Sequence, residues 1–205
     1  MKNQIDEVLT AMIEFSRSQL RQVTGVSDNT FQHWIREKVI VPIPSTEGGG
    51  TGRQRKYDRE EVIVTKILAA ADSLNVRVET LRDIASVIRT ALKTPTRLAI
   101  NESYKDVEVA CLHYILSADD PDALNKVPEA LRDLHHEDWQ LLGAWSVLES
   151  ARQEKREAQS ILSVFSLNGE TLIAGLNPIS QKKLPEGVEA FIGLNINEIL
   201  FGLNI

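Results

Sequence analysis

Two helix signals separated by a glycine turn constrain this chain more than any other feature. Ser16-Arg-Ser-Gln-Leu-Arg-Gln-Val-Thr-Gly25 reads as a short helix closed at its C-terminal end by glycine, the residue that best tolerates the left-handed backbone of a helix stop. Val26 follows, then Ser27-Asp-Asn-Thr30, where the Ser27 hydroxyl is placed to accept from a backbone N–H of a second helix. That helix carries Phe31, Trp34 and Ile35 on one face as core residues and Gln32, His33 and Arg36 on others. A helix, a tight turn and a capped second helix form a helix-turn-helix. The first helix braces the second, whose N-terminal side chains then project toward a major groove.

The flanking segments extend the pattern. Ile5, Val8, Leu9, Met12 and Ile13 predict an amphipathic helix within residues 1–14. Val39-Ile-Val-Pro-Ile-Pro44 is apolar and extended, since its prolines oppose a helix. Glu47-Gly-Gly-Gly-Thr-Gly52 is a glycine-rich tip, and Arg53 to Tyr57 reads as a strand-like return. Together these predict a β-wing. Asp58 then caps a helix with Glu60 and Glu61 in its first turn and Val62, Ile67, Leu68, Ala71 and Leu74 on its core face. A further helix over Glu79–Leu92 places Leu81, Ile84, Ala85, Ile88 and Leu92 inward, and Thr94-Pro95 is expected to stop it.

Charge is unevenly divided. The 205-residue chain has a net charge of −6, which at first argues against a nucleic-acid partner. Residues 1–98 nevertheless hold 15 basic against 12 acidic side chains, a balance of +3, and residues 99–205 carry −9. The densest basic stretch is Arg53-Gln-Arg-Lys-Tyr-Asp-Arg59, so the first half is the candidate anion-binding part.

Three segments in order resemble the MerR-type winged helix-turn-helix family. Val23-Thr-Gly-Val-Ser27 with Thr30 and Trp34-Ile-Arg-Glu-Lys-Val-Ile40 look like its helix-turn-helix. Arg55-Lys-Tyr57 followed by Asp58-Arg-Glu-Glu-Val62 looks like its wing end, and Leu74-Asn-Val-Arg-Val-Glu-Thr-Leu81 like its next helix junction. The resemblance covers residues 15–92. Arg17, Arg21, Gln32 and His33 depart from the usual pattern, and Trp34-Ile-Arg36 is closer to the excisionase and phage-regulator branch. Nothing in the second half resembles the family's metal-binding or drug-binding parts, so no sensor role carries over.

The resemblance implies a DNA-binding transcription regulator acting on double-stranded DNA as a homodimer. Asn29, Thr30, Gln32 and His33 stand where side chains reach base edges, and Asn or Gln can pair bidentately with adenine. Arg36 suits a phosphate or an acidic partner. Arg53, Arg55 and Lys56 would neutralise phosphates or enter the minor groove, Arg55 matching the family's wing arginine. Tyr57 either bonds a phosphate or packs beneath the wing. Arg17 and Arg21 either extend the basic face or pair with Asp6, Glu7 or Glu14.

The expected organisation is an N-terminal helix over 1–14, a mainly α winged helix-turn-helix domain over 15–95, and a small acidic α+β domain over 96–205. Val107-Glu-Val-Ala-Cys-Leu-His-Tyr-Ile-Leu116 reads first as a buried strand, with a helix as the alternative. Pro128 to Leu134 is a short helix, and Leu141, Leu142, Trp145 and Leu148 share one face of another. Asn168-Gly169 between apolar runs signals a hairpin. Val188–Leu194 is a further strand, and Asn195 or Asn197 caps a terminal helix. The tasks expected of this half are dimerisation or contact with RNA polymerase or another regulator.

Other classes fit poorly. Cys111 stands alone, and His135-His-Glu-Asp138 lacks the His-Glu-x-x-His spacing of a zinc helix. Neither a Gly-x-Ser-x-Gly elbow nor a phosphate-binding Gly-Lys-Ser/Thr loop occurs, so no enzyme, cofactor or metal is expected. The N-terminal sequence lacks a signal-peptide core and no apolar run is long enough to span a bilayer, which points to the cytoplasm.

Overall fold

The structure, a computed structural model, describes residues 14–46, 54–116, 121–153, 161–167, 170–175 and 188–200. Among these the chain is mainly helical, with two small antiparallel sheets. It divides into two compact units between Arg89 and Thr90, and the chain from Glu198 belongs to the first. The expected helix over 5–13, the glycine-rich tip and Arg53 lie outside the described residues.

The first unit begins with β1 (Glu14–Ser16), which runs directly into α1 (Arg17–Thr24). Ser16 ends the strand and caps the helix: its hydroxyl accepts from Gln19 N, and the Gln19 carboxamide oxygen accepts from Ser16 N at 2.8 Å. Gly25, at φ 76°, closes the helix in the left-handed region where a Cβ is strained. After Val26, the Ser27 hydroxyl accepts from Thr30 N at 3.1 Å and opens α2 (Asp28–Arg36). Gly25 and Ser27 act as the sequence predicts.

β2 (Lys56–Asp58) pairs antiparallel with β1, placing Phe15 opposite Tyr57 and Ser16 opposite Lys56. The Val39–Pro44 arm, expected to form a β-wing with the Arg53–Tyr57 return, makes no strand pairing with it among the described residues. Pro42 and Pro44 lack N–H donors, and among the described residues the arm makes one backbone bond to the return, Ile43 N to Lys56 O at 2.8 Å. A 3-10 turn over Pro44–Thr46 follows, and Thr46 Oγ1 accepts from Lys56 N at 3.0 Å.

Asp58 ends β2 and caps α3 (Arg59–Asp72), accepting from Glu61 N at 2.8 Å. Val62, Ile67, Leu68 and Ala71 are buried, but Leu74 is 57% exposed because the helix ends at Asp72 and Leu74 lies in the turn. α4 (Val78–Arg97) buries Leu81, Ile84, Ala85 and Ile88, with Leu92 half-buried. It continues through Pro95 instead of stopping there. A proline ring allows helical φ and removes one donor, and the helix ends two residues later, before Ala99 at φ 53°. Phe15, Leu20, Phe31, Trp34, Ile40 and Tyr57 join these aliphatic side chains in the core. Each such burial contributes about 1.5–3 kcal/mol.

In the second unit the Val107–Leu116 segment is helical, as α5 (Tyr104–Leu116), and not the buried strand expected first. Val107, Ala110 and Cys111 are buried on one face while Val109 is 54% exposed, a helical period and not a two-sided strand. Next come a 3-10 segment Pro121–Lys126, α6 (Glu129–Arg132) and α7 (His136–Gln153). Leu131, Trp139 and Leu142 pack on the buried face of α5, and Tyr114 stacks on Trp139 at 4.6 Å. Leu148 is buried, whereas Leu141 and Trp145 are only half-buried.

β3 (Ile161–Leu167), β4 (Glu170–Gly175) and β5 (Val188–Asn195) form a sheet in the order β4-β3-β5. Leu167 pairs with Glu170, so β3 and β4 form the expected antiparallel pair; Asn168 and Gly169 themselves lie outside the described residues. α8 (Ile196–Leu200) closes the described chain.

Candidate nucleic-acid interface

Burial of Phe31 and Trp34 decides which face of α2 is presented to solvent. Successive residues turn by about 100° along a helix, so Asn29, Gln32, His33 and Arg36 share one sector opposite that pair. All four are exposed. Thr30 lies outside the sector, and its hydroxyl is 2.8 Å from that of Ser27, where it serves the cap. Ile35, expected in the core, is half-buried at the sector's edge and lines a cleft.

That cleft, of about 480 Å³, runs between the start of α1 and the strand return. Arg17, Arg21, Ser18, Gln54, Arg55 and Tyr57 are among its lining residues. A second concavity of about 270 Å³ continues it along α2, bounded by Arg17, Gln32, Arg36 and Arg55. The fold therefore brings Arg17, Gln32, Arg36, Arg55 and Tyr57 around one groove. Asn29 and His33 share the exposed sector of α2 but do not line it. Lys56 is half-buried in β2, its backbone engaged with Ile43 and Thr46. Arg36 and Arg55 have no acidic partner among the described residues.

Arg17 and Arg21 have a partner that the sequence reading did not consider. Each places a guanidinium nitrogen 2.7 Å from Asp28 Oδ1, and neither pairs with Glu14 among the described residues. Asp6 and Glu7 lie outside them. Gln32 Nε2 donates to Asp28 Oδ2 at 3.0 Å. Desolvation alone would raise the Asp28 carboxyl. The Arg17 hydrogen bond and charge, the Arg21 charge and the Gln32 hydrogen bond outweigh it and hold the carboxyl below its ordinary value. Asp28 follows Arg17 by eleven positions, too far for a local pattern to reveal the pairing. Arg17 also lies over the Phe31 ring, 5.8 Å from its centroid.

Of the two expectations for Tyr57, the packed position is the one that its burial matches. Its ring is buried and packs edge-on to Phe31 at 5.6 Å and 80°, so it does lie beneath the strand return. Its hydroxyl is also buried, without a hydrogen-bond partner, in a residue that lines the cleft. Burial raises the hydroxyl above its ordinary value, opposed by the nearby charges of Arg55 and Arg17.

Among the described residues, no group of three His, Cys, Asp or Glu side chains is disposed to hold a metal. Asp138 is paired with Arg97. Among the same residues no helix is long and apolar enough to cross a membrane. Comparison with known proteins gives no family model that matches the chain and no curated protein that matches it.

Proposed function

We propose that this chain is a DNA-binding transcription regulator that docks duplex DNA through a winged helix-turn-helix. In this reading α1 braces α2, the exposed sector of α2 enters the major groove, and the return carrying Arg55 and Lys56 lies along a phosphate strand. The observation that carries it is the groove itself, where the Arg17, Arg36 and Arg55 side chains line two adjoining concavities beside the exposed sector of α2. A phosphate oxygen between Arg17 and Arg55 gains two charge-assisted bonds. Asn29, Gln32 and His33 are then the base-facing side chains. The MerR-like order of motifs fits the same assignment, with the protein acting as a homodimer in the cytoplasm because one small module gives limited affinity.

The test is titration of the full chain with duplex fragments at several salt concentrations. Binding should weaken with salt, and Arg55→Ala should lower the slope by about one unit. No binding at low salt, or none of the loss in Arg55→Ala, overturns the reading. Footprinting distinguishes a regulator, protected at a single promoter site, from an excisionase-like factor with repeated sites at an attachment region. Recovery of RNA polymerase that DNase treatment does not affect would instead identify a protein-interaction adaptor.

A further inference from the structure

Asp28 puts a carboxylate in the middle of a face otherwise built from cations and amides. It is the first residue of α2, and its oxygens divide their work: Oδ1 takes Arg17 and Arg21, and Oδ2 takes Gln32. An ionised carboxylate only accepts hydrogen bonds. The Gln32 carboxamide is therefore held with its nitrogen toward Asp28, leaving its oxygen and a second N–H for another partner. One acceptor and one donor on an exposed carboxamide complement N7 and the N6 amino group of adenine in the major groove. The same carboxylate offsets one of the two positive charges that Arg17 and Arg21 bring to the cleft.

Resting on the DNA-binding reading above, we propose that Asp28 is a specificity-determining residue, acting through its neighbours and not by touching DNA. It orients Gln32 as an adenine reader, and it restrains the attraction of Arg17 and Arg21 for phosphates of any sequence. Asp28 also stands at a helix N-terminus, where an acidic side chain is favourable in any helix. A role confined to that effect would change stability and leave base preference alone, so base preference is the informative readout.

The full chain is first presented with a library of randomised duplexes, and the bound fraction is sequenced to give the preferred site. Titrations then use that duplex, copies with each A·T pair replaced in turn, and an unrelated duplex. For Asp28→Asn the expected result is tighter binding to the unrelated duplex and a salt slope steeper by about one unit. Discrimination at one A·T pair should fall about tenfold. Gln32→Ala should lose the same discrimination at the same pair, and the double variant should lose no more than either single one. Asp28→Glu keeps the charge but displaces the carboxylate. It should preserve the salt slope and still lose the preference, which covers a failure of Asp28→Asn to fold. Wild-type discrimination in either folded Asp28 variant overturns the inference while leaving DNA binding intact. If the wild-type chain selects no duplex, the DNA-binding reading itself falls.

Discussion

Arg89 grips Glu61 through both carboxylate oxygens, donating to Oε1 at 2.6 Å and to Oε2 at 2.9 Å. The same guanidinium donates to Val39 O at 2.6 Å, and Glu61 Oε1 accepts from Val41 N at 2.9 Å. One ion pair thus fastens α3, α4 and the segment leaving α2. With the Glu61 side chain only 5% exposed, Arg89→Ala leaves a buried carboxylate uncompensated, at an expected cost of about 3–5 kcal/mol. Chemical denaturation measures it. Glu61→Gln combined with Arg89→Met should cost clearly less than the two single changes added together, and strict additivity would contradict the pairing.

Lys38 occupies the left-handed region, at φ 56°, just beyond α2. Lys38 N donates to Ile35 O at 3.2 Å and Val39 N to Trp34 O at 2.8 Å, the crossed bonds of a Schellman ending. Glycine is the usual residue there, because a Cβ makes the left-handed conformation unfavourable by about 1 kcal/mol. Lys38→Gly should therefore raise the stability by up to about 1 kcal/mol, read as a higher denaturation midpoint. A loss of stability would mean that the Lys38 side chain contributes more than its exposed position suggests.

The elements legible in the sequence are those whose causes are local. Ser27 and Asp58 cap the helices that their spacing announces, and Gly25 ends α1. The illegible ones depend on distant partners. The Val107–Leu116 run shows a helix period in Val107, Ala110 and Cys111, but its β-branched residues and near-continuous apolarity mask that period until α6 and α7 cover one face. β2 takes β1 as its partner because prolines withdraw donors from the nearer arm. At the candidate site Arg17, Gln32, Arg36, Arg55 and Tyr57 were all nameable in advance. Asp28, which ties Arg17, Arg21 and Gln32 together, was not, since its ion pairs reach across the turn between helices.

Cys111 is buried on α5 with Sγ 3.9 Å from Trp139 O. Burial, with the Glu108 charge adding to it, pushes the thiol up to about 12 from an ordinary 9.0. The folded state thus keeps its proton over a range where the unfolded chain has lost it. That contribution to stability is complete below the unfolded value and declines as the pH rises toward about 12. At about pH 8 the thiol should resist a disulfide reagent in the folded protein and react promptly in denaturant, since thiolate is the reactive form. Rapid labelling without denaturant would show that the core around α5 opens readily.

Tyr57→Phe separates folding from binding. The hydroxyl is buried and unpartnered, and such a group costs about 1–3 kcal/mol. Phenylalanine keeps the ring that packs on Phe31 and removes only that donor. Stability should therefore rise, by about 1 kcal/mol. Duplex affinity should stay unchanged, because a hydroxyl with no exposed surface offers a phosphate nothing to reach. Parallel melting and duplex titration of the two proteins check both halves. A fall in affinity would show instead that the hydroxyl opens toward the cleft when duplex binds. Lower stability would show that the hydroxyl is satisfied in the folded protein.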